Sequence, residues 1–519
     1  MSNRSPQKPS DPNLYAELRD ATLTCPITDR TYIPSSNIDE AITVDKVKGR
    51  LNSRKSRLRW PGRNRRFEKL VYRARKVFAI FALMDKLNED SVKNLSKNGL
   101  TDTELPLHKV GDRLQSRCRK KEFSFPSWSE NGIALFVEKQ WTVLAHQLTF
   151  EAGGIVDIDL HKDCAIQFPH CEEVADSPGF STVYRADMPS SGNKSEFDIG
   201  RVAVKKFNKE EDYNKEKKNL EKIRSINNAH LIKYLAVCDQ VPCIIFPWAG
   251  GGDLAQFWDR ESQNERTIDL FSWSLEQLVG LAHALEELHR IGFRHGDIKP
   301  SNIFLFVENG TGILKIADMG VSREHKQDTD LRIGVTITTA STRAYEAPEA
   351  NHHKKSNTPR SRKYDCWSTG CLILEFVIWL LYDSRALESF KATRNPKLYE
   401  YYRLKAGAED DAIAWQDAME RHPKVDEAIQ CLRDDARCRN TAWEDLVDIV
   451  DSRLLKIDKN ERLTAAKLHT ELQAIFQRCN EDQTRLVNDA PRTDTPPIFN
   501  QPPSKAPETR TRTFESTYQ

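Results

Sequence analysis

The chain has 519 residues, room for two or three domains, and 78 Lys/Arg against 76 Asp/Glu leave a net charge of +2. That balance singles out no polyanionic partner for the molecule as a whole. Eleven cysteines, an odd number without paired metal-type spacing, exclude a disulfide-stapled scaffold and suit a reducing compartment. Cys164 and Cys171 find no second pair or histidine cluster to make a zinc site, and the N-terminus shows no secretory pattern, so an intracellular location, cytoplasmic or nuclear, is expected.

In chain order, residues 1–30 begin polar and proline-bearing and are expected to be disordered. Residues 31–160 are expected to form a mostly helical accessory region. Within it, 46–76 carries fourteen Lys/Arg against the single acid Glu68. Such a run fits an acidic partner (lipid, nucleic acid or an import receptor) or simply a solvated helical face. Trp60, Phe67 and Tyr72 are too few for a base-stacking surface. Val77-Phe-Ala-Ile-Phe-Ala-Leu-Met84 reads as a core helix, and the alternating Phe136-Val-Glu-Lys-Gln-Trp-Thr-Val-Leu144 is expected to pack on the β-rich region after it.

Next come Asp176-Ser-Pro-Gly179-Phe180-Ser181-Thr-Val183 and a short strand ending in lysine, Arg201-Val-Ala-Val-Lys205. On the helix that follows, Glu216 shares the apolar face of Leu220 and Ile223, whereas Glu221 aligns with Ser225 and Asn228. An apolar strand runs into a glycine run in Ile244-Ile-Phe246-Pro247-Trp248-Ala249-Gly-Gly-Gly-Asp253. His295-Gly-Asp-Ile-Lys-Pro-Ser-Asn302 is followed by Asp318-Met-Gly320, then Ala347-Pro348-Glu349, Asp365-Cys-Trp-Ser-Thr-Gly370 and Asn460-Glu-Arg462. The apolar run from Cys371 to Tyr382 is too short for a membrane span, contains Glu375, and reads as a buried central helix. Residues 383–445 are charged and helical in pattern. From 481 the chain turns rich in Pro and Thr and is expected to be disordered; its Thr495-Pro496 step suits either a phosphosite or a linker.

The chemistry concentrates in two of these stretches. Asp297 can orient a hydroxyl, Lys299 can face a transferring phosphate, and Asn302 and Asp318 are oxygen ligands of the kind magnesium takes. With the other motifs in this order, residues 165–480 resemble a eukaryotic-type protein kinase domain. The resemblance implies an α+β bilobal fold, a small β-rich upper lobe over 165–248 and a large helical lower lobe over 249–480, behind the helical accessory region. It implies ATP and Mg2+ as cofactors, with Lys205 on the α- and β-phosphates and Glu216 as its partner, Glu221 being the alternative. By the same match Gly179, Phe180, Ser181, Val183, Ala203, Phe246, Pro247, Ala249 and Asp253 contact the nucleotide: Phe246 behind the adenine, the Pro247 carbonyl and Ala249 N–H at its edge, Asp253 near the ribose. Glu349 and Arg462 would form a buried ion pair. Lys299 and Thr342 fit the serine/threonine branch, whose substrates are protein hydroxyls.

The departures are informative. All three signature glycines of the phosphate loop are replaced, Pro178 lacks an N–H, and Asp176 adds a negative charge, so weaker ATP binding is expected, through the remaining amides of 179–181. Gly296 stands where an arginine usually anchors a phosphorylated activation segment, so dependence on modification of Thr329, Thr336, Thr338 or Ser341 is not expected. Met319 replaces phenylalanine, a tolerable apolar exchange. The helical N-terminal region ahead of a His-Gly-Asp loop is similar to kinases of filamentous fungi. The rival reading is a pseudokinase serving as a nucleotide-sensing scaffold or allosteric partner; the retained Lys205, Asp297, Asn302 and Asp318 favour catalysis over it. Small-molecule phosphotransfer is disfavoured by the Ala-Pro-Glu stretch and Thr342.

Overall fold

The computed structural model describes residues 13–52, 64–116, 120–150, 156–177, 179–188, 200–308, 311–320, 323–324, 344–350, 361–394, 400–405, 418–488, 490 and 495–500. Pro178, Thr329, Thr336, Thr338, Ser341 and Thr342, the first twelve residues, 53–63 of the basic run and 501–519 lie outside them. The chain divides into two compact units, Met1–Tyr213 with Tyr234–Trp248, and Asn214–Lys233 with Ala249–Gln519.

The first unit opens with α1 (Leu14–Asp20), the hairpin β1 (Leu23–Thr24) and β2 (Thr31–Tyr32), and helices α2 (Ser35–Ala41), α3 (Val44–Asn52), α4 (Asn64–Arg73), α5 (Arg75–Leu83) and α6 (Glu89–Asn98). The expected disorder over 1–30 therefore fails from residue 13 onward. Asn13 caps α1, and Leu14, Leu18, Cys25 and Ile27 are buried, which offsets the entropy of ordering the segment. A three-stranded sheet, β3 (Leu107–Val110), β4 (Arg113–Ser116) and β5 (Glu122–Phe123), precedes α7 (Glu130–Val143).

Helix α5 is apolar on every side and packs against α1, α2 and α7; the Asp102 carboxylate accepts from the Lys76 and Val77 amides at its first turn, 3.1 Å each. Around it Phe67, Phe78, Phe81, Phe125, Trp128 and Phe136 form an edge-and-stack cluster. The alternation seen from Phe136 is thus helical: Ser129 caps α7, and Ile133, Phe136, Gln140 and Val143 recur at spacings of three and four on its buried face. Along the basic run, Phe67 and Val71 face this core while Arg65, Arg66, Lys69 and Arg73 are exposed. Lys46, Arg50 and Arg75 pair with Glu17, Asp85 and Asp39, so acids of the same fold answer part of the charge.

A six-stranded sheet completes the unit, in the order β6 (Val156–Asp157), β10 (Ala236–Cys238), β11 (Cys243–Pro247), β9 (Arg201–Phe207), β8 (Ser181–Asp187) and β7 (Cys171–Ser177). One face, with Val202, Val204 and Ile245, buries Cys25, Ile27, Tyr32, Leu148, Ile158 and Leu160. The Tyr32 hydroxyl donates to the Phe168 carbonyl at 2.7 Å, and Lys206 reaches Asp29 at 2.9 Å. Residues on both sides of the helical region are therefore part of the sheet's core, and packing does not stop at the expected boundary near 160.

The chain passes to the second unit along α8 (Glu210–Ile223). That unit holds α9 (Leu254–Glu261), α10 (Ile268–Arg290), the short strand β12 (Phe293–Arg294), the hairpin β13 (Ile303–Glu308) and β14 (Thr311–Ile316), and a long helix, Lys363–Leu381. The long helix is apolar enough to span a membrane by composition, and all of its apolar window is buried inside the unit. The expected disorder beyond 481 does not hold for residues 481–488 and 495–500. Residues 483–485 and 497–499 form 3-10 turns, Ile498 and Phe499 are buried, and the Trp443 indole donates to the Leu486 carbonyl at 2.8 Å.

Candidate active site

The loop between β12 and β13 is held by its own backbone bonds and by one acid. Asp365, fully buried at the start of the long helix, accepts from the His295 amide at 2.9 Å, the Gly296 amide at 2.8 Å and His289 Nε2 at 2.9 Å. Burial alone would raise the Asp365 carboxyl, but the hydrogen bond and charge of His289, with Arg294 nearby, hold it below the usual carboxylate range. His295 donates through Nε2 to the Ala317 carbonyl at 2.9 Å and accepts from the Asp297 amide at Nδ1, 3.2 Å, which fixes the tautomer. Gly296 has φ 84°, a left-handed conformation that disfavours the family's arginine, as it would any side chain. Arg294, two residues earlier, is buried with its guanidinium over the Tyr364 ring, 5.5 Å from the centroid.

This frame presents Asp297. Lys299 Nζ lies 2.8 Å from Asp297 Oδ2, and Asn302 Nδ2 donates to the same oxygen at 2.8 Å and to the Asp297 carbonyl at 2.9 Å. Since Asn302 uses its amide nitrogen in both bonds, its carbonyl oxygen Oδ1 is the atom suited to a metal. Asp318, the second expected metal ligand, takes φ 62°, a strained conformation for a residue other than glycine and one often kept at functional sites. A methyl group at Gly320 would lie 3.2 Å from Asp318 Oδ1 and 3.0 Å from Glu216 Oε2, so the three residues crowd together. Glu216 is 2% exposed while Glu221 is on the exposed face, and Asn219 one turn on donates to the Met319 carbonyl at 2.8 Å. No group of three metal-ligating side chains occurs among the described residues. One carboxylate and one amide oxygen nevertheless suit Mg2+, which takes its remaining ligands from water and phosphate.

In the second unit the glycine run also has a structural reason. Gly251 donates to the Leu305 carbonyl at 3.0 Å, and a Cβ there would fall 2.5 Å from the Leu305 side chain. Asp253, expected near a ribose, caps α9 through a reciprocal box with Gln256, and burial raises its carboxyl. Ala249 accepts at its carbonyl from the Gly252 amide at 3.1 Å. Glu349 and Arg462 form a two-bond pair, 2.8 Å each, with no exposure on either side chain.

In the first unit, strand register groups the remaining residues. Lys205 stands between Val183 and Ile244, and Ala203 between Arg185 and Phe246, so Val183, Ala203, Lys205 and Phe246 share the face opposite the Val202–Val204 core. Pro247 ends β11 opposite Val202. The phosphate-loop counterpart is a tight hairpin in which Ser177 pairs with Ser181. Gly179 has φ 84°, Phe180 is exposed, and the Phe180 amide donates to the Ser177 carbonyl at 2.9 Å. That amide is therefore engaged inside the turn, contrary to the expectation that it is available. Asp176 accepts from the Thr182 hydroxyl at 3.1 Å.

Two features escaped the sequence reading. The Asp365 motif was visible, but its grip on the loop backbone was not, since nothing in spacing links positions 70 apart. Nor was the buried network around Glu375, which accepts from the Tyr345 hydroxyl at 2.7 Å and the Tyr401 hydroxyl at 2.8 Å.

Residues 180–472 match the model of the protein kinase domain. Among similar proteins, the serine/threonine-protein kinase unc-51 of Caenorhabditis elegans is 28% identical over 233 residues, covering 42% of this chain and 24% of that protein. A probable LRR receptor-like serine/threonine-protein kinase of Arabidopsis thaliana is 31% identical over 229 residues, 42% of this chain and 37% of the relative. The GLH-binding kinase 1 of C. elegans is 38% identical over 94 residues, 18% and 22%. The matched stretches span well under half of each relative. The family model covers more than half of this chain and takes in the loop, Asn302, Asp318 and the buried pair described above, and the chain belongs to the protein kinase family.

Proposed function

We propose that the protein transfers the γ-phosphoryl group of ATP to serine or threonine hydroxyls of proteins. The observation that carries this is the Asp297 carboxylate, steadied at one oxygen by both Lys299 and Asn302. Asp297 Oδ1 receives the substrate hydroxyl, whose oxygen bonds to the γ-phosphorus as the bond to the ADP oxygen breaks; the hydroxyl proton passes to Asp297. Lys299 stabilises charge on the moving phosphoryl group. Asn302 Oδ1 and the Asp318 carboxylate would hold Mg2+, which when bound neutralises charge on the phosphate oxygens. Lys205 holds the α- and β-phosphates with Glu216 as its proposed partner, Val183 and Ala203 cover the adenine, and Phe246 on the same sheet face closes the pocket behind it. With the Phe180 amide engaged and Pro178 lacking an N–H, nucleotide affinity is expected to be lower than with a glycine-rich loop. Serine/threonine preference rests on Lys299, two residues after Asp297, and on Thr342.

The test is transfer of label from radiolabelled ATP to the protein itself and to a generic basic protein, with Mg2+. Wild type should label both, and Asp297→Ala should lower kcat by about 10²–10⁴-fold with its melting temperature retained. Equal labelling by the two proteins would remove Asp297 from the reaction. Absence of labelling by wild type, with a thermal shift on adding Mg·ATP, would make the site a nucleotide sensor.

A further inference from the structure

The segment Thr495 to Asn500 packs within the second unit, more than 30 residues beyond the last motif of the site. Ile498 and Phe499 are each 2% exposed. Their turn packs on the helices Ser384–Thr393 and Pro423–Asp434. The Phe499 ring meets Tyr382 at 4.9 Å, tilted, and Phe390 edge-on at 6.3 Å. Two large apolar side chains so well covered are not the behaviour of a passive linker.

What Phe499 touches leads inward. Phe390 lies on the helix that ends in Thr393, and the Arg394 guanidinium sits 4.0 Å from the Phe390 centroid and 4.0 Å from that of Tyr401. Arg394 is wholly buried, and among the described residues none of its nitrogens has a hydrogen-bond acceptor; its charge is answered by the two rings and by Glu375 Oε1 at 3.7 Å. Glu375, on the long helix, in turn accepts from Tyr401 and from Tyr345. Tyr345 is two residues before Ala347-Pro348-Glu349, and its carbonyl accepts from Ser368 Oγ at 2.8 Å. A cation held mainly by rings and a long ion pair is sensitive to where those rings stand, because its desolvation is offset only while they stay close.

We propose that Phe499 and Ile498 are positioning residues: seated on Tyr382 and Phe390, they hold the helix Ser384–Thr393 so that Arg394 stays against Glu375, and thereby fix Tyr345 and the stretch 344–350 that receives the substrate peptide. That 344–350 receives the peptide is part of this proposal and rests on the kinase reading above; the coupling of the 495–500 turn to that stretch does not. Phe499 acts through others and touches no reacting atom.

The experiment compares the full chain with Phe499→Ala by two readouts: hydrogen exchange of residues 344–350, which needs no catalysis, and the steady-state constants for a protein substrate. The variant is expected to exchange faster at 344–350 while α10 keeps its protection, and to raise KM for the protein substrate roughly three- to tenfold with kcat and KM for ATP unchanged. A synthetic peptide of residues 493–503 added to the variant should restore both. Phe499→Leu, which keeps apolar volume without the ring, should fall between, and it replaces the alanine variant if that one does not fold. Unchanged exchange at 344–350 overturns the proposal, as does an increase spread evenly over the whole second unit, which marks a merely structural role. Faster exchange at 344–350 in a protein that transfers no phosphate would leave the positioning intact and remove the catalytic reading instead.

Discussion

Arg462 and Glu349 meet through two bonds of 2.8 Å with both side chains sealed from water, a geometry in which each charge depends on the other. Arg462→Met strands the carboxylate and is expected to lower unfolding free energy by about 3–5 kcal/mol, whereas Glu349→Leu with Arg462→Met should recover most of the loss. Denaturant midpoints of the two single variants and the double variant decide it; a double variant as unstable as the sum would show that no such coupling exists. At this scale the sequence was most legible. The Glu349–Arg462 pair and the contacts of Asp297 with Lys299 and Asn302 join residues whose charge chemistry tolerates few substitutes, so identity and order point to them. Tyr345, Glu375, Tyr401 and Arg394 were not legible, because aromatic and charged residues are common in helical domains and only folding brings these four together.

At the scale of elements, α10 lies against the strand-like segment at Leu231, and the contact point is Gly280. A Cβ at Gly280 would lie 2.0 Å from His230 Nε2, while His230 Nδ1 donates to the Leu314 carbonyl at 2.8 Å. In an open helix Gly→Ala gains about 1 kcal/mol, but here the ring must move and give up its bond. Gly280→Ala should therefore destabilise by about 1–3 kcal/mol, and His230→Ala in that background should return part of it, read from thermal unfolding. Burial also lowers the His230 pKa, with Lys315 and His283 adding to it against the Leu314 bond. As pH falls through the ordinary histidine range, near about 6.5, the unfolded chain takes up this proton first, so stability declines on acidification and levels off below the folded-state value. The decline should be shallower in His230→Gln, and an identical slope would exclude His230 as a source. A glycine inside a helix reads in sequence only as a weak helix residue, and the ring that demands it lies 50 positions away. The glycine run at 250–252 was legible as a break, but its packing on Leu305 was not.

For the molecule as a whole, motif spacing marks where kinase resemblance begins, but not where the folded body begins. A boundary near 165 follows from the motifs, yet the sheet's inner face buries Cys25, Ile27, Tyr32, Leu148, Ile158 and Leu160, all of which precede it. Those side chains are contributed from either side of the α5 and α7 core, a layout that composition cannot reveal because both stretches read as ordinary connections. Each large one buried is worth roughly 1.5–3 kcal/mol, so together they rival the 5–15 kcal/mol that holds a typical domain folded. A fragment of residues 165–519 would leave Val202, Val204, Ile245 and Ala236 facing water and would lose the Tyr32 bond to Phe168 and the Lys206 pair with Asp29. Exposed apolar strands of that kind drive association. The fragment is accordingly expected to aggregate or to melt well below the full chain, while a fragment beginning at residue 13 melts with it. Light scattering and thermal unfolding on the three proteins separate the outcomes. A monomeric 165–519 fragment with an unshifted melt would mean that the helical region and its flanks are carried by the sheet without supporting it; an intact 13–519 protein beside a failed 165–519 fragment would make residues 13–164 part of the sheet's own core.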